Sequence, residues 1–221
     1  MFIARGKRPA TRDKNEDMGR VSNNRQKLMD AVLELIWTGS YGSTTIDQIC
    51  EKAVVRKGSF YYYFDSKVDV ALAAIEAQWE TVRPETDSMF SPTIEPLQRL
   101  KNYFDFGYRF QSQMKQKFGY VLGCPLFALG AEVCTREPRI QKKIQEILGY
   151  KLRYLETTIR DAHAAGVIDA PDPGTKARII QAYYEGLLTQ ARIENDVDVL
   201  REAAAGAYAI LGLKSTELAP V

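Results

Sequence analysis

Residues 44–75 read TTIDQICEKAVVRKGSFYYYFDSKVDVALAAI. Thr45 followed by Gln48 has capping-box spacing, so a helix starts there. It carries Ile46, Ile49 and Cys50 on one face and runs to about Ala53. Val54 and Val55 make a tight connection into a short segment, Arg56 to Tyr63. Asp65-Ser66 then breaks the chain and caps again. Ser66 with Asp69 repeats the capping spacing and opens a long helix through Val68, Leu72, Ile75 and Trp79. Two short helices joined by about three residues have the geometry of a helix-turn-helix, whose second helix enters a DNA major groove.

Upstream, Leu28, Ala31, Val32, Leu35 and Ile36 form one apolar stripe, predicting a helix from near Ser22 to Gly39. Residues 1–20 lack such periodicity and read as a disordered basic tail. Downstream, prolines punctuate further helices. One, its start flanked by Pro92 and Pro96, runs to about Phe118, and one starts at Gly123-Cys124-Pro125. Another runs from Glu137-Pro138 to Gly166, and the last two cover about 174–194 and 197–211. No strand pattern of useful length appears. The expectation is an all-α chain: a tail (1–20), a helix-turn-helix domain (21–66) and a helical ligand-binding and dimerisation domain (67–221).

The 221 residues carry 30 Lys+Arg, 28 Asp+Glu and one His, a formal net charge of +2. As a total, that is too balanced to announce a nucleic-acid binder. The charge is unevenly placed, however. Residues 1–67 hold 12 Lys+Arg against 8 Asp+Glu, and residues 68–221 hold 18 against 20. A basic front end sits on a mildly acidic body. The longest uncharged central stretch, Phe118 to Ala131, is too short to span a bilayer, and no secretory signal is visible. Three Cys make no disulfide framework and fit a reducing cytoplasm.

Within Arg56–Phe64, Phe60 and Phe64 lie four apart and can face inward together, but Tyr61, Tyr62 and Tyr63 cannot all follow. Exposed Tyr hydroxyls can donate to phosphate oxygens, and Lys57 can reach a base edge or a phosphate. Gly58 has no side chain, so backbone can approach a groove closely. The segment also fits an aromatic-rich packing helix. Lys67 sits in the first turn of the long helix, where backbone N–H groups already attract an anion; a solvated surface lysine is the plain alternative.

Residues 25–75 resemble the DNA-binding domain of TetR-family transcriptional regulators. The match rests on the Thr-Thr entry, the short second helix, K-G-x-x-Y-x-Y-F and S-K, preceded by the amphipathic RQKLMDAVLELIWTGSYG. The resemblance implies an all-helical homodimer with two helix-turn-helix heads on a palindromic double-stranded operator. It implies base reading by Lys57, Gly58 and Ser59, and phosphate contacts by Tyr61, Tyr62 and Lys67. It places Thr45 and Gln48 at the start of the helix that crosses the backbone. Two positions depart from the pattern: Val54 stands where the family usually has Gly, and Arg56 where it usually has a small capping residue. Losing a side-chain cap costs about 1 kcal/mol, while Arg56 adds a phosphate-contacting group. The tail stretch Arg5-Gly6-Lys7-Arg8-Pro9 has the composition of a minor-groove arm.

For the body, the resemblance implies a small-molecule inducer site and dimerisation through the last two helices. The segment GCPLFALGAEVC, Gly123 to Cys134, is similar to a TetR subgroup carrying G-C-L-x-x-x-L-x-A-E-V-C. That subgroup includes repressors that respond to reactive electrophiles through the first Cys. With Pro125 as first helical residue, Cys124 sits at an N-cap, where the helix dipole lowers a thiol pKa. Both Cys124 and Cys134 also fit as small core residues, which leaves a noncovalent inducer as the alternative. A Lys of that subgroup aligns with Arg192, which stays protonated and is a poor nucleophile. Phe127, Tyr108, Tyr154 and Tyr184 are the aromatic candidates for the sensor site. A buried hydroxyl needs a partner, which points to the tyrosines.

An enzyme is not expected: one His and two non-adjacent body cysteines make a thiol dyad only by folding accident, with no Asp/His pair or Gly-rich phosphate loop; a thiol enzyme and a purely structural helical protein are the alternative classes. No metal site or cofactor is expected either, since ligands are too few.

Overall fold

The computed structural model describes residues 14–213. Among them are nine α-helices and one 3-10 turn, with no strand. The head comprises α1 (Lys14–Thr38), α2 (Ile46–Ala53) and α3 (Lys57–Tyr63), followed by the long α4 (Lys67–Met89). The body adds α5 (Pro96–Phe118), α6 (Pro125–Val133), α7 (Pro138–Ala164), α8 (Pro173–Glu194) and α9 (Ala203–Leu211). Among the described residues, no helix is long and apolar enough to cross a membrane.

Local chemistry sets most boundaries. The Thr45 hydroxyl accepts from the Gln48 N–H, and the Gln48 side chain accepts from the Thr45 N–H, a complete capping box for α2. The Ser66 hydroxyl accepts from the Asp69 N–H and caps α4. Proline opens α5, α6, α7 and α8, where a missing N–H costs no hydrogen bond. Arg56 makes no side-chain cap for α3.

Two expectations are corrected. The first helix begins at Lys14, not near Ser22, so the tail read as disordered is helical from Lys14 onward. Apolar periodicity marks where a helix packs, first at Leu28, and says nothing of helical residues before that stripe. The remainder of that tail, including the Arg5–Pro9 arm, lies outside the described residues. The last helix, expected to be continuous over 197–211, is a 3-10 turn at Val197–Leu200 followed by α9. The Asp196 side chain accepts from the Asp198 N–H and fixes that turn.

Two apolar cores form. One joins α1–α4 to α6 and the first half of α7, through Leu28, Ile49, Phe60, Val70, Leu129 and Ile144. The other joins α5, the rest of α7, α8 and α9, through Leu100, Phe104, Ile159, Ile180 and Leu211. Cys124 and Tyr154 pack against both. In α9, Gly206 leaves room for the Tyr183 hydroxyl, which a Cβ there would meet at 2.0 Å. That small residue therefore serves a contact within the chain.

Val54 ends α2 in the left-handed region (φ 54°, ψ 45°) and is 88% exposed. A β-branched residue there carries about 1–2 kcal/mol of steric cost with no packing in return. Glycine removes that cost but returns about 0.5–1 kcal/mol of unfolded-state entropy. Val54→Gly is therefore expected to stabilise the chain by about 0.5–1 kcal/mol, read as a higher urea midpoint at unchanged slope. A midpoint at or below that of the parent chain would remove the strain argument.

Candidate functional site

The seven residues of α3 range from buried to exposed. Phe60 is buried, as is Phe64 just beyond the helix end, while Tyr61 and Tyr62 are 51% and 73% exposed. Tyr63 is half-buried, and the Tyr62 ring meets it edge-on at 4.8 Å. A Cβ at Gly58 would meet nothing within 4 Å, so the chain's own packing does not call for glycine there. Arg56, Lys57, Thr45 and Gln48 are exposed on the same part of the head, and Ser59 is half-buried. The Lys57 ammonium pairs with Asp47 at 2.7 Å, and that hydrogen bond raises its pKa. Both partners are largely solvated, so the pair is weak and Lys57 can exchange it for another anion. The side chains of Thr45 and Gln48 are engaged with each other in the capping box.

Lys67 differs from the free phosphate clamp expected of it. Its ammonium donates to the carbonyls of Tyr41 and Thr44, both at 2.8 Å, and lies 4.1 Å from the Tyr41 ring centre. Burial pulls its pKa down, against the charges of Glu132 and Glu137. Two of three protons are thus spent within the protein, on the loop between α1 and α2. The same loop is held from the body. The Glu132 carboxylate, near the end of α6, accepts from the Tyr41 N–H at 2.9 Å and the Gly42 N–H at 2.6 Å.

The non-helical residues 121–123 before α6 are buried. The Gln111 amide oxygen accepts from the N–H groups of Leu122 and Gly123, and its NH2 donates to the Gly123 carbonyl. The Trp37 indole N–H is shared between the Leu122 and Gly123 carbonyls. Arg192 donates to the Leu122 carbonyl at 3.2 Å and to the Trp37 carbonyl at 3.5 Å. Gly123 has φ 68°, and a Cβ there would sit 3.2 Å from the Leu188 carbonyl oxygen, which excludes a larger residue.

A cavity of about 140 Å³ lies between the two cores, walled by α1, α4, α5, α6, α7 and α8. Of the sensor candidates, Cys124, Tyr154 and Tyr184 line it; Phe127, Tyr108, Cys134 and Arg192 do not. On α6, Pro125, Leu126 and Leu129 line the cavity. The Tyr108 hydroxyl donates to Asp198 at 3.3 Å, on the other side of α5. Cys134 ends α6 close to Ile144 and Gly130, and Arg192 braces the 121–123 segment from outside the cavity. Sequence reading missed Glu185, Gln111 and Trp37. The one available signal was a lone acid in the apolar run Tyr183–Leu188 of α8.

The Cys124 thiol is a further correction. It does sit at the N-cap of α6, but its pKa is pushed up to about 11, not down. Burial is the main cause and the neighbouring Glu185 charge the second; Lys151 and the N–H groups of Phe127 and Leu126 only partly offset them. Burial likewise raises the Glu185 carboxyl, which Lys151 and the Cys124 thiol pull back.

Among the described residues, no group of three or more His, Cys, Asp or Glu could hold a metal ion. The family model for bacterial regulatory proteins of the tetR family matches residues 28–74, and that for the tetracyclin repressor-like C-terminal domain matches residues 96–207. Transcriptional regulator AcuR of Cereibacter sphaeroides is 30% identical over 177 residues, covering 79% of this chain and 79% of that protein. A solved regulatory protein TetR from Rhodobacter sphaeroides is 28% identical, covering 85% of this chain and 98% of its own, with a TM-score of 0.74. Reduced NemR from E. coli shares the fold at 19% identity, covering 86% of this chain and 98% of its own, with a TM-score of 0.71. With the head matched by one family model and most of the body by the other, the chain belongs to the TetR family of DNA-binding transcriptional regulators.

Proposed function

We propose that this regulator is a repressor that occupies a palindromic operator as a homodimer and leaves it when a small molecule fills the cavity. The observation that carries the reading is the placement of α6. Leu126 and Leu129 wall the cavity, and Glu132 on the same helix grips two N–H groups of the α1–α2 loop. A ligand that shifts α6 therefore acts on the head without an intermediary. A change in head position alters the spacing of two recognition helices, which must enter major grooves about one helical turn apart.

On the DNA side, Lys57, Gly58 and Ser59 read bases, while Tyr61, Tyr62 and Arg56 contact phosphates. Thr45 and Gln48 start the helix crossing the backbone. Lys67 acts on phosphates indirectly, by positioning the loop above it. For the dimer, α8 and α9 are supported by their outer faces. Ile179, Ala182, Gly186 and Ile193 are all exposed at one-face spacing on α8, and Ala205 and Ala209 do the same on α9. The inducing event is noncovalent binding. A thiol held near 11 is almost wholly protonated at neutral pH, which supports Cys124 as cavity wall and not as an electrophile trap.

The direct test is to select bound fragments from genomic DNA and measure affinity for them. Recovery of no preferred, two-fold symmetric sequence would overturn the reading. Lys57→Ala should weaken operator binding by about 1–3 kcal/mol and relax the base preference beneath it. Full retention of affinity and preference would remove Lys57 from the groove. Glu132→Ala should speed hydrogen exchange at the Tyr41 and Gly42 amides and lower operator affinity about fivefold, the equivalent of about 1 kcal/mol. An affinity equal to that of the parent chain would mean that the α6 tie does not set the head. Iodoacetamide labelling of Cys124, followed by peptide mass spectrometry, should run about 100-fold below an ordinary thiol at pH 7.5 and accelerate with rising pH. Fast labelling at neutral pH would restore the electrophile-sensor role.

A further inference from the structure

The cavity wall is mostly apolar, and Glu185, Lys151, Gln111 and three tyrosines are among its polar groups. Glu185 is 5% exposed and borders the cavity, and its Oε2 has no hydrogen-bond partner. It is the one buried side-chain nitrogen or oxygen among the described residues in that condition. Buried acceptors are almost always satisfied, so a cavity-lining carboxyl with one enclosed, unpartnered oxygen marks where a ligand group belongs, reached by a small turn of the carboxyl.

We infer that the cavity takes a small neutral molecule with an apolar body and one O–H or N–H group, which donates a hydrogen bond to the Glu185 carboxyl group. The inference deepens the effector reading above and rests on it. Size is the first argument: a cavity of about 140 Å³ is comparable to one that holds a single benzene ring. The walls are the second: Ile36, Trp37, Trp79, Phe106, Phe110 and Leu129 offer no charge. Charge is the third. An anionic ligand would bring a second acceptor to a site that needs a donor. An ammonium would surrender its hydration to a corner where Lys151 already supplies positive charge to the carboxylate. A neutral donor satisfies the oxygen without adding charge.

Isothermal titration of the full chain with phenol, anisole, benzene, benzoate and benzylamine separates these possibilities, because the ring is constant. Phenol should bind about fivefold more tightly than benzene and anisole, matching one added hydrogen bond to the carboxyl group. Benzoate and benzylamine should bind more weakly than phenol. Glu185→Met keeps volume and removes the acceptor, and there the preference for phenol over benzene should fall to about twofold or less. If that variant does not fold, the phenol-to-anisole ratio in the parent chain decides alone. The proposal is overturned if anisole matches phenol, if a charged probe binds most tightly, if the phenol preference survives Glu185→Met, or if no probe binds. Failure of the effector reading looks different: phenol binds as expected but does not release operator DNA.

Discussion

A stretch of chain that is buried but not helical must find a partner for every backbone N–H and C=O, and Leu122 and Gly123 meet that demand with side chains from three helices. Gln111 comes from α5, Trp37 from α1 and Arg192 from α8. The solution is costly to disturb, since each of these groups is hard to replace in water-free surroundings. Its effect is to lash the head's first helix to the body at one point and to fix where α6 begins. The cavity, the thiol at its edge and the direction in which α6 points all follow from that anchorage.

From there α6 runs as a short bar between two tasks. Its first turns close the cavity, and Glu132 near its end holds the loop that leads into α2. Lys67 holds the same loop from below through two carbonyls. The loop thus has its N–H groups tied to the body and its C=O groups tied to α4. In the mechanism proposed above, this loop, gripped from both sides, passes displacement on to the short helices that follow it. The exposed, weakly paired side chains of the head, such as Lys57, remain free to exchange partners.

The sequence was most readable where the physics is local. Thr45 with Gln48, Ser66 with Asp69, and four opening prolines each act within one helical turn, so spacing alone located the helices they start. The inward pair Phe60 and Phe64 and the outward Tyr61 and Tyr62 follow the same rule of helical periodicity. Legibility failed where partners are distant. Tyr108 and Phe127 look like pocket residues by type, but which side of α5 and α6 faces the cavity depends on packing. The N-cap position of Cys124 was readable, whereas its thiol pKa was not. A dipole that lowers it is local, but the burial and the Glu185 charge that raise it come from a helix some sixty residues away. Gln111 and Trp37 gave no signal at all, because their role is to satisfy another segment's backbone.

The chain has two tryptophans, and both stand in the cavity wall. Trp37 stacks on Phe110 and bonds the buried carbonyls, while Trp79 stacks on Tyr150. Helix α3, proposed above to enter the DNA groove, has none. The indole emission of this protein is therefore an unlabelled optical gauge of the cavity. Trp79 reports the polarity of whatever enters, and Trp37 reports whether the anchored segment has let go of its ring nitrogen.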